Sequence, residues 1–208
     1  MLRDDQQARP WGVVTSEFWA EPAAEPEPGP ADTPEWDEDL RYEEPAAVAA
    51  ARTTTPQHPP QPGAGHAARF AALAGKLGTP QTGVTLLLAA AEAVQLDQEL
   101  TATCGPGHPN TVGVRELRAL IAHLQGQRAE AARLYLHVTG LHASVAGLGH
   151  DLTKTNAQRA FAEWRSIADP AERAAVGRDI LPMLTAVAGP KARPTREVQS
   201  YLTADDSP

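Results

Sequence analysis

Cys104 and His108 lie four residues apart, a spacing at which a thiolate and an imidazole can bind the same zinc ion. A zinc site needs three or four protein ligands, and no second pair with ligand spacing occurs in the sequence. The alternative, which we favour, is that this loop only shapes the start of the helix that follows it. The lone cysteine also excludes an internal disulfide and is typical of a reducing compartment.

Other chemically suggestive residues lack the surroundings that their chemistry needs. Gly75-Lys76 is not part of the G-x-x-x-x-G-K-[ST] phosphate-binding pattern, and no G-x-S-x-G nucleophile motif occurs. His137 and His142 are five apart, so on a helix they diverge. The sequence therefore predicts no catalytic, cofactor-binding or metal-binding residue, and an all-α enzyme is the weakest of three functional hypotheses.

The elements that would position any site are predicted to be helices. After residue 66 the chain is a series of Ala-rich segments with helical periodicity, and no segment alternates as a strand would. Thr79-Pro80 and Asp169-Pro170 supply a helix cap followed by proline at the first helical position. The predicted fold is an all-α array of helical hairpins, with six helices at about 67–77, 80–100, 111–124, 128–141, 152–168 and 170–187.

A short loop motif recurs in this helical region. GPGH at 105–108 returns as GLGH at 147–150, 42 residues later, and each copy precedes a predicted helix pair. We expect His150 to have the same loop role as His108.

The turn at Gly126 has a pattern typical of two closely packed antiparallel helices. Ala119 and Ala131 flank this glycine, and Tyr135 follows nine residues after it. Small residues let the helices approach, and the aromatic ring fills the space beyond them. A second copy, displaced by 43 residues, is predicted to be degenerate, with Asp169 at the glycine position and Arg178 at the aromatic position.

The segments GPGHPNT (105–111) and LQGQRAEAARLY (124–135) resemble the tetratricopeptide repeat (TPR) family, in particular the longer repeat of kinesin light chains. The resemblance covers one clear unit, 104–141, and two degenerate units, 67–103 and 147–188. Arg118 and Ala122 depart from it, standing where the family usually has Leu and Tyr. The resemblance implies three stacked hairpins, close to the minimum for a stable stack, so pairing with another copy or a larger partner would help.

The same resemblance implies a concave groove, lined by the first helix of each pair, that binds a peptide or a helix. Carried over to this sequence, the partner-binding residues would be Glu116, Leu120, His123, Arg159, Glu163 and Ser166. The alternative is an ordinary solvated helix face. Trp164 is predicted to lie in the core.

The N-terminal third has a different composition. Residues 1–65 carry 13 acidic and 4 basic residues and 11 of the 19 prolines, which predicts a disordered acidic tail. The predicted organisation is this tail, a TPR-like domain at 66–190, and a C-terminal tail at 191–208 whose residues 196–202 either form a short helix or fray.

The tail holds five of the ten aromatic residues, which is unusual for a disordered segment. Glu35-Trp36-Asp37-Glu38 is similar to the Trp-acidic peptides that kinesin-light-chain grooves bind. We hypothesise that it docks on a groove of this chain or of a partner, as a docking or autoinhibitory segment. The alternative is an inert acidic tail.

A net charge of −8 without a basic run argues against binding to nucleic acid or to an anionic membrane. No run of about 18 apolar residues and no apolar leader at the N-terminus occurs, so a cytoplasmic location is expected. The abundance of Ala, Pro, Arg and Gly is typical of high-GC bacterial genomes. The predicted function is a non-enzymatic scaffold or adaptor without cofactors. The alternative is a regulatory subunit of a bacterial transcription or signalling system, acting through a partner that binds DNA or nucleotides.

Overall fold

The computed structural model describes residues 63–79 and 82–205. These residues form helices only and contain no strand, which confirms the all-α prediction. The helices are α1 (Ala64–Leu77), α2 (Gly83–Cys104), α3 (Pro109–Leu124), α4 (Arg128–Ala146), α5 (Asp151–Arg165), α6 (Pro170–Ala188) and α7 (Arg193–Asp205). Each helix packs mainly against its neighbours along the chain, and α4 also packs against α6. None of the described helices combines the length and the hydropathy that a membrane-spanning helix requires.

The start of α2 differs from the prediction. Thr79 donates its hydroxyl to the carbonyl of Lys76 (2.8 Å) in the turn after α1, and the helix begins three residues later than expected. Thr82 is the cap: its Oγ1 accepts from the amide of Thr85, whose Oγ1 accepts in turn from the amide of Thr82. This reciprocal pair satisfies two amide groups at the helix start, which is why α2 begins there. Pro80 lies outside the described residues.

The start of α6 is as predicted. Pro170 is its first residue, and the Asp169 carboxylate accepts from the amide of Glu172 at 2.7 Å. This bond satisfies one of the amides that a helix leaves free at its N-terminus.

The loop geometry occurs three times in the described residues, once more than the motif itself, because the third loop, GPKA at 189–192, lacks the histidine. α2, α4 and α6 are each followed by a glycine with a φ of +91° to +94°, a backbone conformation that residues other than glycine rarely adopt. Six residues after each glycine, a buried threonine hydroxyl donates to that glycine's carbonyl at 2.8 to 2.9 Å. The three pairs, at successive spacings of 42 residues, are Gly105 with Thr111, Gly147 with Thr153, and Gly189 with Thr195.

The same 42-residue spacing corrects the 43-residue register assumed for the second turn. α4 and α6 start at Arg128 and Pro170 and end at Ala146 and Ala188, so Tyr135 corresponds to Gly177 and not to Arg178. A Cβ atom on Gly177 would lie 3.0 Å from the indole nitrogen of Trp164. The third unit therefore fills from α5 the space that the second unit fills with Tyr135.

Trp164 is fully buried, which confirms that it belongs to the core. Its indole N–H donates to the carbonyl of Arg173 (2.9 Å), and its ring makes an edge contact with Tyr201 of α7 at 5.6 Å between centroids. α7 also buries Val198 against α6. The segment beyond residue 191 thus contains a helix that completes the core, longer than the short helix considered from the sequence.

Candidate protein-binding face

The predicted partner-binding residues fall on two adjoining helix faces. Leu120 lies four residues after Glu116 and three before His123, so the three share one side of α3. On α5, Arg159 lies three residues after Asn156 and four before Glu163, so these three also share one side of their helix. Side chains of the two sets contact each other directly, and we call this surface the α3–α5 band; it consists of Glu116, Leu120, His123, Asn156, Arg159 and Glu163.

Glu116 is buried, so its side chain does not face solvent as a partner-binding residue would. Its Oε1 accepts from Nε2 of His142 on α4 (2.9 Å) and from Nδ2 of Asn156 on α5 (3.0 Å). Both bonds join different helices. The carboxylate therefore holds α3, α4 and α5 together beneath the band.

Glu163 is buried in a similar way at the other end of the band. Its Oε1 accepts from Nδ1 of His123 at 2.6 Å, and its Oε2 accepts from Nη1 of Arg128 at 3.1 Å. Hydrogen bonds to an ionised carboxylate are stronger than neutral ones, and burial strengthens them further. Glu163 thus fixes α5 against the turn between α3 and α4, again without facing solvent.

The remaining predicted residues are more accessible. Leu120 and Arg159 are half-buried, and the Arg159 guanidinium lies 5.8 Å from the centroid of the Tyr135 ring. Ser166 is exposed at the C-terminus of α5. Accessible contact area on the band is therefore offered by Leu120, Arg159 and part of His123, on a base made rigid by two buried carboxylates.

A second polar network, which the sequence analysis missed, joins α2 to α3. Asp97 accepts from Nε of Arg115 (2.9 Å), from Nη1 of Arg118 (2.6 Å) and from the hydroxyl of Thr101 (3.2 Å). Arg115 is only 1% exposed, and Nε2 of His137 lies 3.2 Å from its Nη1. One signal was available: Asp97 stands between Leu96 and Leu100 on the apolar stripe of α2.

His108, the histidine of the possible zinc pair, has a structural role in the loop. Nδ1 of His108 accepts from the amide of Asn110 (3.2 Å) and so caps α3, and His150 caps α5 through the amide of Leu152 at the same distance. Burial lowers the pKa of His108 below its usual value of 6.5, which favours the neutral ring that can accept this bond. Among the described residues, no group of three or more His, Cys, Asp or Glu side chains could hold a metal ion.

The predicted docking residues Glu35, Trp36 and Asp37 lie outside the described residues, as does the rest of the expected tail up to residue 62. Comparisons with protein-family models, with curated proteins and with solved structures found no match.

Proposed function

We propose that this protein is a non-enzymatic scaffold or adaptor of tetratricopeptide type, which binds an acidic peptide with an aromatic anchor on the α3–α5 band. The observation that carries the proposal is the band itself. Two helix faces from successive hairpins adjoin over buried carboxylates. They leave an apolar side chain on α3, Leu120, and a cation on α5, Arg159, partly accessible.

The repeated loop supports the repeat part of the proposal. Three Gly–Thr hydrogen bonds at equal spacing hold successive helix ends in the same geometry. Equal loops give each hairpin a similar relation to the next, which is the property that lets repeat proteins present a continuous binding surface.

The chemistry of the band supports an acidic peptide with an aromatic residue. Leu120 offers apolar contact, and the half-buried Arg159 offers positive charge at its edge. A Trp among carboxylates matches this pair of features, because the ring supplies contact area and the acids supply complementary charge. Trp36 and its neighbours are one such peptide within this chain.

Charge reversal on the band provides the test. The full chain, Arg159→Glu and Arg178→Glu are each tagged, expressed in the native cells and purified, and the captured proteins are quantified by mass spectrometry. Arg178 is the matched control because it is exposed and lies on α6, outside the two helices that carry the band. Circular dichroism confirms that each variant is folded.

The proposal expects a defined set of proteins that Arg178→Glu retains and Arg159→Glu loses by at least about tenfold, the change that corresponds to about 1.4 kcal/mol of binding free energy. Equal capture by both variants, or capture of nothing above background by the parent, would contradict it. DNA-binding or ATP-hydrolysing proteins in the set would identify the regulatory-subunit version of this function.

A further inference from the structure

The C-terminal and N-terminal parts of the helix stack differ in how their outer surfaces are finished. α7 covers the C-terminal end and turns polar residues outward, among them Arg196, Gln199 and Ser200. Such a polar outer face is what a terminal capping element in a repeat stack requires. In the first hairpin, by contrast, α2 leaves Val84, Leu87 and Leu88 between 64% and 68% exposed.

These residues belong to one continuous strip of α2. Ala91 and Val94, one and two turns further along α2, are also exposed and apolar, and all five residues lie on one side of the helix. We call this the α2 strip; it consists of Val84, Leu87, Leu88, Ala91 and Val94. The opposite side of α2 is buried in the hairpin, so the helix has two apolar faces and only one of them is covered by described residues.

The strip is a firm part of the helix and not a fraying end. The reciprocal bonds between Thr82 and Thr85 fix the first turn, and Leu86, between the exposed residues, is buried. No charged residue occurs from Gly83 to Ala91. An uncharged, ordered patch of a few hundred Å² is at the upper end of what a single soluble chain normally leaves uncovered.

We propose that residues 11–20 of the same chain dock onto the α2 strip. This segment, WGVVTSEFWA, is the part of residues 1–62 richest in large apolar side chains, with Trp11, Phe18 and Trp19, and its only charged residue is Glu17. An uncharged surface selects such a segment by burial of apolar area. Trp36 is a poorer match, because the carboxylates on both sides of it would lose water against five apolar side chains, and the strip itself contains no cation.

The chain between the two partners is long enough. About 42 residues separate residue 20 from Gly63, and even a Gly-rich linker of that length, which is more compact than a Pro-rich one, spans roughly 35 Å on average. The strip runs only about 15 Å along α2. Because the segment is tethered, its effective concentration at the strip is on the order of millimolar, so a weak apolar contact is enough to keep it bound.

A second copy of the chain fits the strip less well. A stable dimer buries about 800 Å² on each partner, and the strip supplies only a few hundred. A tethered segment has no such area requirement, since it binds without loss of overall translational freedom.

Thiol accessibility tests the proposal on the full-length chain. In a Cys104→Ser background, a single cysteine is placed at Ala91 in the strip or at Val145, which is exposed near the end of α4. The rate of reaction of each cysteine with a maleimide is measured in native buffer and, for reference, in denaturant.

Each cysteine is then combined with changes in the N-terminal segment. Phe18→Ser together with Trp19→Ser removes the proposed anchors, and Trp36→Ser is the matched control. The proposal expects the cysteine at 91 to react at least about tenfold more slowly than the one at 145, with the double change restoring its rate to within about twofold and Trp36→Ser leaving it slow.

Three results would overturn the proposal. The cysteine at 91 reacts as fast as the one at 145 in the parent chain, or its protection persists in the Phe18→Ser/Trp19→Ser chain, or Trp36→Ser alone abolishes it. Protection that grows with protein concentration and persists without the anchors would assign the strip to a second copy. None of these outcomes depends on whether the α3–α5 band binds a partner.

Discussion

Replacing Asp97 with asparagine is expected to cost this protein a large part of its stability. The carboxylate faces Arg115 at 2.9 Å and Arg118 at 2.6 Å, and the side chains of Asp97 and Arg115 are almost completely buried. Asparagine keeps the volume and one accepting oxygen but removes the negative charge. The Arg115 guanidinium then stays in the interior without a counter-charge.

The size of the effect follows from that burial. Breaking a buried ion pair by removing one partner costs about 3–5 kcal/mol, mainly because the remaining charge is desolvated and uncompensated. A domain of this size has a total free energy of unfolding of about 5–15 kcal/mol. Asp97→Asn should therefore lower the free energy of unfolding by about a fifth or more.

Urea unfolding followed by circular dichroism measures the loss, with Asp179→Asn as control. Asp179 is exposed and lies 3.7 Å from Arg133, so its removal should change stability by less than about 1 kcal/mol. Adding Arg115→Met to Asp97→Asn should restore part of the loss, because the unpaired cation is removed. If Asp97→Asn costs no more than Asp179→Asn, the network does not stabilise the α2–α3 contact in the way we describe.

Three further predictions concern the loops and the core. Thr153→Val removes the bond to the loop glycine and should lower the free energy of unfolding by about 1 kcal/mol, against no loss for an exposed helix threonine in the same urea assay. Gly177→Ala pushes a methyl group towards Trp164 and should lower the free energy of unfolding by about 1–3 kcal/mol. Gly75→Ala, with open space around it, should instead stabilise α1 by up to about 1 kcal/mol, and equal effects of the two changes in thermal unfolding would contradict the packing described. Burial lowers the pKa of His108, so the imidazole is protonated at a higher pH in the unfolded chain than in the folded one, and the free energy of unfolding should be constant above about pH 6.5 and fall below it. His108→Asn keeps a capping oxygen and should weaken that fall in urea titrations between about pH 7.5 and about pH 5.5.

The helical fold was largely predictable because the signals that start and end its helices are local in sequence. The start of α6 at Asp169-Pro170 and the loop histidines His108 and His150 depend on residues within a few positions of each other. The start of α2 was misplaced since Thr79 and Thr82 are both good caps by residue type. Only the reciprocal bonds with Thr85 separate them, and a threonine in that place is a weak signal.

The burial of two predicted partner-binding residues could not be read from the sequence. The family resemblance assigned Glu116 and Glu163 to an accessible groove, yet both are buried. Their partners come from elsewhere in the chain: Asn156 lies 40 residues from Glu116, and Arg128 lies 35 residues from Glu163. No local pattern carries such pairings. The 43-residue register failed for a related reason. The space that Tyr135 of α4 fills in the second unit is filled in the third unit by Trp164, which comes from α5.

The central claim, that the α3–α5 band holds another polypeptide segment, is tested most directly by photo-crosslinking in native cells. A photoreactive phenylalanine analogue is placed at Leu120 in the full chain or, as control, at Arg178. The account predicts that position 120 crosslinks to a defined segment rich in carboxylates around an aromatic residue, from a partner or from residues 1–62, and that position 178 does not. Absence of any crosslink at position 120, or the same products from both positions, would contradict it.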